Sequence, residues 1–235
     1  MLNIIKQHIS GFVSLAYPEF CSACGTNLYQ TEKAICGLCR NSLPKTNFHF
    51  HPDNLATKLF WGKALIRSAA SYYYYRKGSE VKSLIHQLKY KDQKDVGEIV
   101  GKWYAQELKE SSLFADVDTI MPVPLHPDKF KKRGYNQSEQ IAVGMIQEFN
   151  ARYDNQSLTR KYFTETQTRK KVFDRHENVD DVFVYESNLE KPHHILIVDD
   201  VITTGSTLIA CINAIRAKLG TDVDISVATI AIAGK

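Results

Sequence analysis

Alternating strands and helices are predicted along most of the chain from its pattern of apolar and polar positions. Segments with a strand pattern are 66–75, 117–125, 194–199 and 223–232, with a weaker one at 181–185. Segments with helical spacing are 80–108, with a break near residues 91–94, then 138–149 and 206–219. This alternation predicts an α/β fold, a mostly parallel sheet flanked by helices.

The composition changes near residue 45, which predicts two domains. Residues 1–45 contain a weak helical stripe over 1–17 and then a cysteine cluster, so they are expected to form an N-terminal helix and a small metal-binding module. Residues 46–235 carry the long alternating elements. Residues 44–56 contain two prolines and an Asp-Asn turn, which is typical of a linker. A chain of 235 residues suits one ordinary domain with a small appendage.

Charge and hydropathy exclude few classes of function. The net charge of +4 permits contact with nucleic acid or phosphorylated ligands without demanding it. No apolar run reaches the roughly 18 residues of a membrane span, so no stable membrane insertion is expected. Lys6, Gln7 and His8 interrupt the first apolar stretch too early for a signal peptide. We expect a cytoplasmic protein, with peripheral contact at the inner face of the membrane through the N-terminal helix as the alternative.

Four of the five cysteines lie within nineteen residues and predict a zinc site. Cys21 and Cys24 form one Cys-x-x-Cys pair, and Cys36 and Cys39 form a second. Each pair directs two thiolates at one ion, and four thiolates complete a tetrahedral site with no position left for catalysis. The zinc is therefore expected to be structural. Two disulfides are the alternative, which the lack of a secretion signal disfavours.

The segment ILIVDDVITTGSTL, residues 195–208, carries the most specific chemistry. A strand ends on Asp199 and Asp200, and a turn around Gly205 leads into a helix. In parallel sheets ligands bind beyond the carboxyl ends of the strands, and a helix N-terminus favours an anion. The hydroxyls that can donate to a phosphate belong to Thr203, Thr204, Ser206 and Thr207.

A sugar phosphate suits this arrangement, because the turn can take the phosphate and the carboxylates a vicinal diol. The spacing differs from the nucleoside-triphosphate loop, since no lysine follows the glycine. An ordinary Asp turn with a Ser/Thr helix cap is the alternative. It explains one carboxylate and one hydroxyl, but not two carboxylates with four hydroxyls.

A second candidate anion site is the loop from His126 to Asn136. Its basic side chains are Lys129, Lys131, Lys132 and Arg133. Together with the following helix N-terminus they can hold a diphosphate and its Mg²⁺. A solvated basic loop is the plainer interpretation, and such a loop can also follow a nucleic-acid backbone.

Two resemblances follow from these motifs. ILIVDDVITTGST resembles the binding signature of type I phosphoribosyltransferases, which hold 5-phosphoribosyl-1-pyrophosphate (PRPP). With the cysteine cluster, MPVPLHPDKFKKRGYNQSEQIA (121–142) and TETQTRKKVFDRHEN (164–178), the chain resembles the ComF family from Tyr17 to its last strand. That family joins a zinc finger to a type I phosphoribosyltransferase-like domain. In the family pattern, an Arg-x-Arg-x-Thr-x-x-Gln segment is followed by Arg-x-x-Asn. The matching residues here are Arg160, Thr164, Gln167, Arg175 and Asn178, whereas Tyr162 stands where the second arginine is usual.

The resemblance implies a role for each motif. Asp199 and Asp200 are expected to bind the ribose hydroxyls, and Thr203, Thr204, Gly205, Ser206 and Thr207 to bind the 5-phosphate. Lys132 and Arg133 would belong to a pyrophosphate loop. Arg160 and Arg175 would belong to a mobile loop that closes over the site. The implied cofactors are structural Zn²⁺ and Mg²⁺ bound with PRPP.

The family's role, by resemblance, is uptake or processing of single-stranded DNA in natural transformation. The implied partners are PRPP or a related ribose phosphate, single-stranded DNA, and a helicase or other competence proteins. Two rival functions stay open. One is an active nucleobase or amido phosphoribosyltransferase in nucleotide metabolism. The other is a single-stranded-DNA-binding module without catalysis.

Overall fold

The computed structural model describes residues 19–29, 31–90, 93–161 and 182–233, with the backbone alone for Tyr90. The predicted N-terminal helix over 1–17 and the loop residue Arg175 lie outside these ranges.

Five parallel strands form the central sheet. They are β1 (Ser68–Tyr75), β2 (Thr119–Pro122), β3 (Arg152–Tyr153), β6 (His194–Ile202) and β7 (Asp224–Ala233). Their order in the sheet is β1-β7-β6-β2-β3, and all four pairings are parallel. A separate antiparallel hairpin pairs β4 (Leu158–Arg160) with β5 (Phe183–Tyr185). The predicted α/β class with a mostly parallel sheet is confirmed.

Seven α-helices and one 3-10 helix (Phe48–Phe50) accompany the strands in the described part of the chain. The α-helices are numbered here in chain order. They are α1 (Gly37–Ser42), α2 (Leu55–Lys58), α3 (Glu80–Tyr90), α4 (Lys94–Leu108), α5 (Pro127–Arg133), α6 (Gln137–Ile146) and α7 (Ser206–Leu219). The predicted break between α3 and α4 is present. Helices α4 and α6 pack very closely, because a Cβ at Gly144 would lie 2.0 Å from the carbonyl oxygen of Glu98.

Three segments differ from the sequence-based expectation. Residues 44–56 are not a free linker, because Phe48, His49 and Asn54 are buried and the Asn54 amide donates to Ala69 of β1 at 2.7 Å. The basic loop after β2 contains helix α5, which begins with Pro127 and ends at Gly134 in the left-handed region (φ 79°). Strand β6 continues to Ile202 rather than ending at residue 199.

The chain changes direction across the sheet between β2 and β6. From β2 it proceeds outward to β3, whereas from β6 it proceeds outward to β7. Such a reversal creates a crevice at the carboxyl ends of the two strands, which is where α/β sheets bind ligands. The fold therefore places the end of β6 and the segment after β2 at the expected ligand edge.

A buried histidine connects β6 and β7 at the amino ends of the strands, opposite the ligand edge. His194, which is 1% exposed, has Nδ1 3.0 Å from Asp116 Oδ1 and Nε2 2.8 Å from Ser226 Oγ. Arg67 contacts Asp116 at 2.7 Å and Asp224 at 3.0 Å. The order Ser-His-Asp is that of a hydrolase triad, but Ser226 is fully buried and cannot reach a substrate. The cluster is structural.

This cluster predicts acid sensitivity. Burial lowers the pKa of His194, although Asp116 opposes the shift and Arg67 adds to it. The unfolded chain, with a pKa near 6.5, therefore takes up this proton first as the pH falls, and stability is lost below that value. His194→Asn should be less stable than wild type at pH 8, yet lose less stability between pH 8 and 5.5. Urea unfolding at both values checks this. An unchanged difference between the two pH values would contradict the assignment.

Candidate functional site

The four cysteines of the N-terminal module converge on one point. Their sulfur atoms all lie within 4.8 Å of one another, and the sulfurs of Cys24 and Cys36 are 3.8 Å apart. A tetrahedron with zinc–sulfur bonds of 2.3 Å has edges of about 3.8 Å, so the donor set fits zinc. The backbone N–H of Cys36 donates to the Cys21 sulfur at 3.3 Å, and that of Cys39 donates to the Cys36 sulfur at 3.4 Å. Four cysteines positioned to bind one zinc ion are thus present, as predicted.

Local hydrogen bonding already favours a thiolate at the exposed member of the set. The Thr26 hydroxyl, 3.0 Å from the Cys24 sulfur, lowers the pKa of Cys24 to about 6. Burial has the opposite effect on Cys39 and raises its pKa. Binding of a dication to these four sulfurs favours their thiolate forms, because metal binding releases the thiol protons.

Loss of one sulfur ligand should release the metal. Cys36→Ser is expected to lower bound zinc well below one equivalent and to reduce Tm by several degrees, because the module has few other buried groups to hold it. Elemental analysis together with thermal unfolding measures both effects. Cys211→Ala is the control, since Cys211 is buried in α7 far from the cluster in sequence and should keep its zinc. A full zinc content in the Cys36 variant would refute the four-thiolate site.

The two adjacent aspartates lie where β6 extends past its neighbour. β2 ends at Pro122, which pairs with Val198, whereas β6 continues to pair with β7 as far as Ile202. Asp199 and Asp200 therefore lie inside a strand, which corrects the expectation that the strand ends on them. Both residues still lie at the crevice, because β2 no longer pairs with the strand from residue 199 onward.

Each aspartate has its own partners. Asp199 Oδ1 accepts from the Ser138 hydroxyl at 2.9 Å and from the backbone N–H of Asp200 at 2.9 Å. Asp200 Oδ2 lies 2.9 Å from Lys89 Nζ, with the two side chains 14% and 23% exposed. The sequence-based site did not include Ser138 or Lys89. Lys89 belongs to a basic face of α3 and Ser138 to the start of α6, and nothing in their local patterns indicates a contact with residues so distant in sequence.

The turn after β6 is built as a small hydroxyl-lined depression. Gly205 has φ 79° and caps α7 without a side-chain hydrogen bond. The hydroxyls of Thr204 and Ser206 are 2.9 Å apart, and the four hydroxyl residues of the turn are all exposed. Asp199 and residues 201–208 line a depression of about 50 Å³. The turn and one carboxylate thus face the same space, which is large enough for a phosphate-sized group.

Asp199, which is half-buried, has a pKa well above that of a free carboxyl group. Burial, and then repulsion from Asp200, raises the pKa of Asp199 to about 7, while Lys89 and Ser138 act in the opposite direction. Such a shift makes an ionised carboxylate costly to the folded state at neutral pH. A residue kept at this cost is typical of a functional site.

Removing the charge at this position should stabilise the protein at alkaline pH. Between an unfolded pKa near 3.9 and a folded pKa near 7, only the native state keeps the Asp199 proton, so stability falls across this interval and the loss is complete above pH 7. Asp199→Asn keeps the acceptor oxygen and should raise Tm by a few degrees at pH 8, with a smaller rise at pH 5.

The matched control for this measurement is Asp222→Asn, whose carboxylate is 82% exposed and pairs with Lys191 at 3.5 Å. That variant should unfold like wild type at both pH values, since an exposed ion pair contributes little. A Tm for Asp199→Asn below that of wild type at pH 8 would show that the buried charge is not destabilising.

The basic residues predicted to hold pyrophosphate lie on α5, beside the carboxyl end of β2. Lys132 is exposed, and Arg133 donates to the Gln137 side chain at 2.5 Å. Arg160 ends β4, with its guanidinium 5.3 Å from the Phe183 ring centroid. The structure therefore places Lys132 and Arg133 next to the crevice. It places Arg160 on the β4–β5 hairpin, and Arg175 lies outside the described residues.

Comparison with known proteins identifies relatives over most of the chain. DNA utilization protein YhgH of Escherichia coli O6:H1 is 28% identical over 199 residues, which cover 83% of each chain. The protein of the same name from Salmonella typhi is 31% identical over 128 residues, 53% of this chain and 56% of the relative. Competence protein F of Haemophilus influenzae is 35% identical over 107 residues, 45% and 46% of the two chains. The resemblance to the ComF family is confirmed by these homologues.

Two other comparisons contribute less. No family model matches the chain. A crystal structure of a hypoxanthine phosphoribosyltransferase from Staphylococcus aureus overlaps 66% of this chain and 71% of that chain, at 12% identity and a TM-score of 0.34. An overlap of this quality supports no argument about function. Within the described ranges, no helix combines the length and apolar character needed to span a membrane.

Proposed function

Because the chain is homologous to YhgH and competence protein F, we propose that it binds PRPP, or a related ribose phosphate, together with Mg²⁺. We propose further that it acts in the uptake or processing of single-stranded DNA in natural transformation. One observation supports this ligand: Asp199, the first of two adjacent carboxylates, lines the same depression as the hydroxyl-rich turn that follows β6.

The ligand's parts match the parts of the site. A ribose diol donates hydrogen bonds to carboxylates, which Asp199 and Asp200 supply. The 5-phosphate takes donors from the hydroxyls around Gly205 and from the first N–H groups of α7, a helix of 14 residues whose dipole favours an anion. Lys89 remains beside Asp200 as a counter-ion, so ligand binding does not require two uncompensated carboxylates.

The proposed diphosphate site lies on the β2 side of the crevice. Lys132 and Arg133 extend from α5, which follows β2 directly, while the carboxylates lie on the neighbouring strand. Mg²⁺ would accompany the diphosphate, since carboxylate, hydroxyl and phosphate oxygens are the donors that a hard cation prefers. The donor set at the crevice fits such an ion, and its charge would offset that of the phosphates.

The zinc ion is proposed to be structural. All four of its ligands are protein sulfurs, so no coordination position remains for a substrate. The cytoplasmic location and the role in transformation are proposed from the relatives, whose names refer to DNA utilization and competence.

Binding of PRPP·Mg²⁺ is the direct test. Calorimetry should show one binding event for wild type, and Asp200→Asn should weaken it by at least ten-fold, because a charged hydrogen bond to the ribose diol is lost. Asp222→Asn, a distant exposed carboxylate, should bind like wild type. Omission of Mg²⁺ should weaken binding in both active proteins.

Two results would reject the ribose-phosphate site. One is no binding by folded, zinc-loaded wild type, and the other is an unchanged affinity in Asp200→Asn. Release of pyrophosphate on adding a nucleobase or amine acceptor would add catalysis to binding and favour the phosphoribosyltransferase alternative.

A further inference from the structure

A second cleft lies beside the ribose-phosphate crevice, and its chemistry differs. Its volume is about 340 Å³, within the range of small-molecule sites. Three prolines, Leu125 and Phe130 form its apolar lining, and its polar lining is formed by Lys131, Asn136, Glu139 and Asn155. Rigid apolar walls with a few polar groups are the usual composition of a site for a planar organic group.

The cleft is one strand away from the candidate ribose site. Pro122, which lines it, pairs with Val198, the residue before Asp199, and adjacent strands lie about 4.8 Å apart. The first turn of α6 serves both places, because Ser138 donates to Asp199 while Glu139 lines the cleft. A ligand in the cleft is therefore a close neighbour of a ligand at the carboxylates.

Some polar groups of the cleft bond to the protein itself, and others can bond to a ligand. Asn136 donates to Val123 O at 3.0 Å and accepts from the Ser138 N–H at 3.1 Å, so it fixes the loop. Glu139 accepts from the Asn136 amide through Oε1 at 3.2 Å, so its second carboxylate oxygen and the Asn155 amide can offer acceptors and donors to the edge of a heterocycle. Phe130, 49% exposed, presents an aromatic ring at the rim on which a flat base can stack.

Positive charge surrounds this ring. Lys129, Lys131 and Lys132 are exposed on the same short helix, and within the described ranges none of them forms an ion pair. A basic surface interleaved with an aromatic ring matches a single-stranded nucleic acid, whose bases stack and whose phosphates attract lysine. The three lysines also offer more positive charge than a neutral free base would need.

We propose that the cleft between β2 and α5 holds a nucleobase of a single DNA strand, stacked on Phe130, with neighbouring phosphates against Lys129 and Lys131. The proposal deepens the proposed function, on which its biological meaning rests, by giving the strand a place beside the ribose-phosphate crevice. The physical claim stands separately, because it depends on Phe130 and Lys131 and not on Asp199 or Asp200.

Fluorescence anisotropy with a labelled oligothymidylate tests this site. Phe130→Ala should weaken binding at least five-fold, and Phe130→Trp should restore it, because stacking depends on an aromatic face. Lys131→Ala should lower the slope of log affinity against log salt by about one. Trp61→Ala is the matched control, since Trp61 is 56% exposed and lies 5.6 Å from Lys58 Nζ. It should bind like wild type.

The outcomes separate this proposal from the ribose-phosphate site. Loss of oligonucleotide binding in Trp61→Ala with full binding in Phe130→Ala would overturn the cleft in favour of the other surface. No oligonucleotide binding by wild type, or binding of thymidine monophosphate as tight as that of the oligonucleotide, would also overturn it. Calorimetry of Phe130→Ala with PRPP·Mg²⁺ should match wild type. If wild type binds the strand but not PRPP, the cleft stands and the ribose-phosphate proposal fails.

Discussion

The unequal length of two neighbouring strands is the constraint on which the candidate site depends. β2 stops at Pro122, whereas β6 continues to Ile202 with β7 as its partner. A strand that keeps its ladder on one side stays ordered while its other edge opens, because its backbone groups still have partners. Asp199 and Asp200 therefore lie on a rigid element beside a crevice, and sites built on strands hold their side chains more precisely than sites on loops.

Two adjacent carboxylates at the end of β6 lower the stability of the folded protein at neutral pH. The interior disfavours the charge on Asp199, and Asp200 repels it, which is why its pKa rises to about 7. Three groups favour the ionised form of Asp199 and so reduce this cost: Ser138, the Asp200 N–H and Lys89. The net shift of its pKa is still upward. A more stable chain would carry a neutral residue at position 199, so the carboxylate is best understood as serving a ligand.

Sequence patterns predicted what depends on neighbours in the chain. The helix over 206–219, the break between α3 and α4 and the paired cysteines all follow from local spacing, and the structure agrees with each. Contacts between distant segments were beyond this reasoning. Lys89 reaches Asp200 only because the fold brings α3 to the end of β6, and the register that extends β6 past β2 is set by strand pairing.

Polar composition gave wrong predictions for two segments whose structure is determined by tertiary contacts or by helix caps. Residues 44–56 have the prolines and turn residues of a linker, yet Asn54 is buried. Its amide donates to β1 while its side-chain oxygen caps α2, so polar character here satisfies buried backbone groups. In the loop after β2, Pro127 at the first turn and Gly134 after the last begin and end a helix that a count of basic residues does not reveal.

The four-cysteine module is also joined to the scaffold of the site. Ser22 donates to Gln93, just before α4, at 2.8 Å, and the Arg40 guanidinium lies 4.6 Å from the Trp103 ring centroid on the same helix. Helix α4 packs against α6 so closely that a single methyl at Gly144 would meet its backbone. Because α6 carries Ser138 at its first turn, an ion that orders the module also supports the helix pair beneath the carboxylates. The module thus contributes to the support of the crevice as well as to the surface of the protein.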